Sequence, residues 1–160
     1  MPPITALLHT ENEALRLGRC LETLYPCDEI VVVDHDSRDH TAGIAREYGA
    51  TVIPAEPGVS PEAYLQRIGP AWALCLDPRE SLTESLAATL FEWKLTPPDS
   101  LSAAAFSVFL RNETADGWIE VPIPQVRLVP PTWKHWQGNL PAHDPSASVL
   151  EGELLHFVLP

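Results

Sequence analysis

The first half of the chain alternates short, mainly apolar runs with segments whose apolar residues recur at helical spacing. Residues 4–8 form the first run. Ala14, Leu15, Leu17, Leu21 and Leu24 then predict a helix across 11–24, which Tyr25-Pro26 stops. Ile30, Val31, Val32 and Val33 are continuous and β-branched, which predicts a strand buried on both faces. Ala42, Ile44, Ala45 and Tyr48 predict a helix across 39–48, with Gly49 as its C-terminal stop. Residues 51–53 read as a third strand and 72–76 as a fourth, leading to Asp77-Pro78. Ser81-Leu82-Thr83-Glu84 has the spacing of a capping box and predicts a helix to about Lys94.

Strands separated by helices imply βαβ units and a mostly parallel sheet, hence an α/β fold. Ligands of such sheets sit beyond the carboxyl ends of the strands. Asp34 and Asp77 each follow a strand end, on strands expected to lie side by side. The pattern changes after "TPPDS". Residues 103–110, 118–121 and 125–129 read as strands with no long helix between them. Pro122, Pro124, Pro130, Pro131, Pro141 and Pro145 suggest edges and loops. This second half is expected to complete the same domain as a small mixed sheet with no core of its own.

Composition narrows the function. A chain of 160 residues, 45% hydrophobic and 20% charged, suits one packed domain. A net charge of −12 argues against non-specific binding to nucleic acid or anionic membrane, but leaves room for a local phosphate site. No apolar run approaches the roughly 20 residues needed to span a bilayer, and the first 15 residues lack the pattern of a signal peptide. Cys20, Cys27 and Cys75 form no CxxC pair, which fits reduced, structural thiols in a cytoplasmic protein.

The candidate chemistry starts in "IVVVDHDSRDHTAG", residues 30–43. Read as a metal-hydrolase loop of the HxHxDH kind, it supplies His35, Asp39 and His40. Ser37 stands at the second histidine, where a hydroxyl is a poor zinc ligand, and no histidine occurs between His40 and His135. Read as a nucleotide loop, it places Asp34 at a strand end to accept hydrogen bonds from a ribose hydroxyl or a base N–H. Ser37 or Asp39 caps the next helix, near a diphosphate. The plainer reading of Ser37 and Asp39 is a helix cap alone.

With these pieces in order, the chain resembles family 2 glycosyltransferases of the GT-A fold, in particular bacterial lipopolysaccharide-core-type transferases. "ITALLHTENEALRLGRCLETL" is similar to their opening strand, Asn-Glu turn and helix. "DEIVVVDHDSRDHTAGIAREYGATVI" is similar to their aspartate-bearing second strand and helix, and "WALCLDPRESLTESL" to their acidic segment. "VRLVP", "LPAHD" and "LLHF" are similar to later pieces. The resemblance implies a nucleoside-diphosphate-sugar donor, a hydroxyl acceptor on a glycan or lipid-linked glycan, and a divalent metal, Mn²⁺ or Mg²⁺. It implies donor contacts from Thr10, Asn12, Glu13, Asp34, Ser37, Asp39, Arg67 and Arg79. Asp77, Glu80 and His156 would hold the metal, and Asp144 would be the base. Residues 1–98 would be the nucleotide-binding half and 99–160 a reduced acceptor-side half. Work in cell-envelope synthesis would place the chain in the cytoplasm or at the inner face of the membrane; oligomeric state is left open.

Two features depart from that family: the segment between Ile53 and Trp72 is short, with only Gln66-Arg67 resembling the family's Arg-Asn pair, and the acidic segment is altered. In Asp77-Pro78-Arg79-Glu80, Arg79 occupies the place of the second acid of a metal-binding DxD, and a guanidinium cannot hold a cation. Three readings follow. Asp77 and Glu80 hold a cation by themselves; Arg79 pairs with the diphosphate in the metal's place; or the chain is a degenerate nucleotide-sugar or protein-binding module. Three further groups carry two readings each. His143 and His156 are site residues or structural histidines, and Trp133, His135 and Trp136 form a sugar platform or line a core face.

Overall fold

The computed structural model describes residues 3–96 and 103–159. Four parallel strands form its centre, β1 (Ile4–Thr10), β2 (Glu29–Asp34), β3 (Thr51–Pro54) and β4 (Trp72–Leu76), in the order β3-β2-β1-β4. The strands after them extend the same sheet without a break. They are β5 (Glu80–Leu82), β6 (Phe106–Thr114), β7 (Gly117–Glu120), β8 (Gln125–Val129) and β11 (Ser148–His156). β8 pairs antiparallel to β4, β6 antiparallel to β8, β11 parallel to β6 and β5 antiparallel to β11, while β7 lies on β6. A short ribbon of β9 (Trp136–Gln137) and β10 (Leu140–Pro141) stands apart. The boundary expected within 97–100 lies outside the described residues.

Period-two alternation explains the continuous apolar runs, because the central strands are covered on both faces. Ile4, Ala6, Leu8, Val32, Leu74 and Leu76 face one core. It is closed by α1 (Leu17–Glu22), α2 (Thr41–Glu47) and α4 (Glu84–Leu95). Leu7, Val31, Val33, Ala73 and Cys75 face the other, closed by α3 (Pro61–Arg67) and by Trp133. No described helix is long and apolar enough to cross a membrane.

Several elements differ from expectation. The first helix is six residues long, because Glu13 to Arg16 form a turn in which the Glu13 carbonyl accepts the N–H groups of Arg16 and Leu17. Helix α3 has no counterpart in the apolar pattern, yet carries local start signals. Ser60 caps it, Pro61 opens it and Glu62 sits in its first turn. The cap of α4 is Thr83, whose Oγ1 accepts from the Leu86 N–H, rather than Ser81. Ser81 lies on β5, whose pairing with β11 takes precedence over a local cap.

Cys20 and Cys75 are buried and Cys27 is half-buried; none is in a disulfide. Burial pushes the Cys27 and Cys75 thiols up to about 12 and raises Cys20 as well, which keeps all three protonated and unreactive.

Gly152 interrupts the β11–β6 register between Val149 and Glu153, with φ +95°. A Cβ there would stand 2.5 Å from the Leu86 backbone nitrogen at the start of α4. Gly152→Ala is therefore expected to lower stability by about 1–3 kcal/mol, from overpacking and backbone strain together, as read by urea denaturation.

Candidate functional site

Two sites lie at the carboxyl ends of the parallel strands. Asp34 and Asp77 are not on adjacent strands as expected. β1 lies between β2 and β4, with Thr10 opposite Asp34 and Leu8 opposite Leu76. The chain goes to opposite sides of β1 in building β2 and β4, so Asp34 and Asp77 flank this reversal point.

At Asp34 the end of β2 is fastened to the end of β1. Asp34 Oδ1 accepts from Thr10 Oγ1 at 2.8 Å and Ser37 Oγ at 2.6 Å, and Oδ2 accepts from the Ser37 N–H at 3.1 Å. Thr10 is buried, so its hydroxyl has a fixed partner. Ser37 Oγ also accepts from the Asn12 N–H, and Asn12 Oδ1 accepts from the Arg38 N–H. Asn12 has φ +53°, a left-handed conformation that asparagine tolerates. The Glu13 N–H donates to Thr41 Oγ1. Asp39 accepts from the backbone N–H groups of Ala14 and Thr41 and from the Thr41 hydroxyl. The Thr41 hydroxyl is the main cause of its pKa lying below the usual carboxylate value. Thr10, Asn12, Glu13, Ser37 and Asp39 thus come together, and their polar groups largely tie one loop to the other. Beyond them Asp34 borders a cleft of about 530 Å³, with Asp36, Ser37, Arg46, Val52 and Pro54 among its lining. Arg67 is not part of that lining; it pairs with Glu56 at 3.4 Å and lies over the Tyr64 ring.

The hydrolase reading of this loop is overturned. His35 Nε2 lies 2.9 Å from His9 Nδ1, His40 pairs with Glu47, and Asp39 holds backbone. Among the described residues no three His, Cys, Asp or Glu side chains gather to hold a metal. His9 is a residue that sequence reasoning missed. Burial, with the His35 charge adding, lowers its pKa to about 4. Between about 4 and 6.5 the unfolded chain binds a proton that the folded chain does not, so stability falls as pH drops through that window. His9→Gln is expected to flatten this dependence, removing a loss on the order of 2 kcal/mol near pH 4.5. Thermal melts of both proteins at pH 7 and pH 4.5 measure it.

At the second site Asp77, Glu80 and His156 do share one pocket, of about 220 Å³, with Asn112, Gln125 and Arg127. Strand register brings them there, since His156 pairs with both Glu80 and Asn112. The carboxylate of Glu80 is nevertheless committed elsewhere. Arg127 Nε donates to Glu80 Oε1 at 3.1 Å and Nη2 to Oε2 at 2.9 Å, and Oε1 also accepts from the Asp77 N–H. Glu80 is 1% exposed and Arg127 4%, so this is a buried, bidentate ion pair. Asp77 Oδ1 accepts from the Arg79 N–H, and His156 Nδ1 contacts Asn112 Oδ1. Glu80 is thus an anchor for Arg127 and not a free ligand. What remains in the pocket is the Asp77 carboxylate, His156 and the Asn112 and Gln125 amides, a single free carboxylate that would hold Mg²⁺ or Mn²⁺ only with substrate phosphates and water completing the shell. Arg127 could have been suspected from sequence, because a cation inside the apolar strand "QVRLV" needs a buried acid partner.

Asp144 lies apart from both sites. It borders a third cleft with Lys134 and His135, and its Oδ1 accepts from the Ser146 N–H and hydroxyl. That hydroxyl, first among the causes, holds its pKa below the usual value. Trp133 is buried and donates from Nε1 to the His135 carbonyl, and Trp136 packs on the same core. Both tryptophans are core residues, while His135 and His143 are exposed.

The architecture is α/β with a large, mostly parallel sheet and flanking helices, and it is the GT-A fold. The comparisons agree with the resemblance to family 2-like glycosyltransferases. LpsC of Rhizobium meliloti, a lipopolysaccharide core biosynthesis glycosyltransferase, is 31% identical over 98 residues, covering 56% of this chain and 36% of that protein. An uncharacterized glycosyltransferase of Rickettsia felis is 34% identical over 90 residues, covering 54% and 32%. The chain therefore spans about a third of the length of these curated relatives. Residues 1–349 of TarS from S. aureus superpose with a TM-score of 0.57 over 76% of this chain and 38% of that one, at 18% identity. A mycobacterial protein superposes with a TM-score of 0.50 over 69% and 41%, at 21% identity. No protein-family profile matches the chain.

Proposed function

We propose that this chain carries the donor-binding part of a glycosyltransferase. It would move a sugar from a nucleoside diphosphate to a hydroxyl of a glycan or lipid-linked acceptor, with inversion, in cell-envelope synthesis at the cytoplasmic face of the membrane. The observation that carries the proposal is Asp34. Its carboxylate is fixed by Thr10 and Ser37 and borders an open cleft at the carboxyl end of a parallel strand. A carboxylate held this way is suited to accept hydrogen bonds from a ribose or base without rearranging. The likeness to glycosyltransferases, lipopolysaccharide core biosynthesis among them, supports the same reading.

In the reaction, the acceptor hydroxyl oxygen attacks the anomeric carbon from the face opposite the diphosphate. The C–O bond to the diphosphate breaks, and its electron pair leaves with the diphosphate. The hydroxyl proton passes to a carboxylate base within hydrogen-bond reach of the acceptor; Asp144, the residue expected in that role, borders a different cleft.

Calorimetric titration with UDP- and GDP-sugars tests the donor reading. Binding of one of them is expected, and heat from neither would overturn it. A second reading, a binding module without turnover, is favoured by the commitment of Glu80 to Arg127. Sugar transfer to a lipid-linked acceptor separates the two readings.

A further inference from the structure

We infer that Arg79 neutralises the donor's diphosphate in this chain, so that binding does not depend on a divalent cation. The inference rests on the donor reading above. Two guanidinium groups belong to the acidic turn after β4, that of Arg127 and that of Arg79. Glu80 gives both carboxylate oxygens to Arg127, in a pair almost sealed from solvent. Three of the five Arg127 N–H donors are committed, Nε and Nη2 to Glu80 and Nη1 to the Val126 carbonyl. Its first task is to hold the turn. Drawing Glu80 out to a cation would leave Arg127 buried and unpaired.

Arg79 is in the opposite situation. Its backbone is held on both sides, since its N–H donates to Asp77 Oδ1 at 2.9 Å and its carbonyl accepts from the Phe157 N–H at 3.0 Å. Its side chain is exposed and, among the described residues, makes no hydrogen bond or ion pair. A fixed Cα with an uncommitted guanidinium, at the carboxyl end of β4 across β1 from Asp34, is a device for a planar, doubly hydrogen-bonded anion. Asp34 would fix the nucleoside and Arg79 the phosphates. The guanidinium brings one positive charge, half that of a divalent cation, together with paired N–H donors, and does not need the carboxylate that Arg127 occupies.

The test is calorimetry of the full chain with UDP and GDP, and with uridine and guanosine, in EDTA and in Mn²⁺. The wild-type chain is expected to bind one diphosphate in EDTA, with an affinity that Mn²⁺ changes by less than about threefold. Arg79→Gln is expected to weaken that diphosphate about tenfold or more and leave its nucleoside within about twofold. Tenfold tightening by Mn²⁺ in the wild type, or unchanged diphosphate affinity in Arg79→Gln, overturns the inference and leaves the donor reading intact. Failure of all four ligands to bind in either condition overturns both. Arg79 is exposed, and a thermal melt of Arg79→Gln within about 2 °C of wild type excludes misfolding as the cause.

Discussion

Replacing Arg127 with methionine is expected to lower the unfolding free energy by about 3–5 kcal/mol, the largest stability effect predicted for this chain. The reason is the charge left behind. Glu80 would keep its buried carboxylate and its bond from the Asp77 N–H while losing both guanidinium contacts. Glu80→Gln alone should cost a similar amount, because Arg127 would then be the unpaired charge. The double variant Glu80→Gln/Arg127→Met removes both charges and is expected to recover much of either loss. Urea denaturation of the four proteins closes the cycle. Losses from the two single changes that simply add would show that the pair is not coupled.

Asp34→Asn is expected to weaken binding of the nucleoside diphosphate by about ten- to a hundredfold, the range for losing hydrogen bonds to a charged acceptor. The amide oxygen can still accept from Thr10 and Ser37, while the amide nitrogen replaces Oδ2, which accepts from the Ser37 N–H. Some stability should go as well, so binding is to be measured well below the melting midpoint. The nucleoside alone should lose affinity as steeply as its diphosphate. If only the diphosphate loses affinity, Asp34 does not hold the nucleoside.

These two residues mark how far the sequence could be read. Asp34 was visible because its strand is a continuous β-branched run and a polar residue follows at once. Asp77 was visible because it directly follows the apolar run Trp72–Leu76. The histidines of the same loop gave a false lead, since His35 and His40 turn to His9 and Glu47, neither of which adjacency in sequence would select. Glu80 looked like a ligand because the acidic turn was read alone; its partner lies 47 residues away on another strand. Helix α3 was passed over because its start signals are polar and its apolar content is small.

The sequence by itself determined the alternation of strands and helices, the burial of the central strands on both faces, and the strand ends where a ligand would lie. Those follow from local periodicity and the chemistry of single turns. Tertiary structure alone decided that β1 separates Asp34 from Asp77, that β8 brings Arg127 beneath the acidic turn, and that Asp144 borders a different cleft. These are matters of strand order and long-range pairing. A buried charge finds its partner across the sheet, and nothing in the local pattern states which strand will be there.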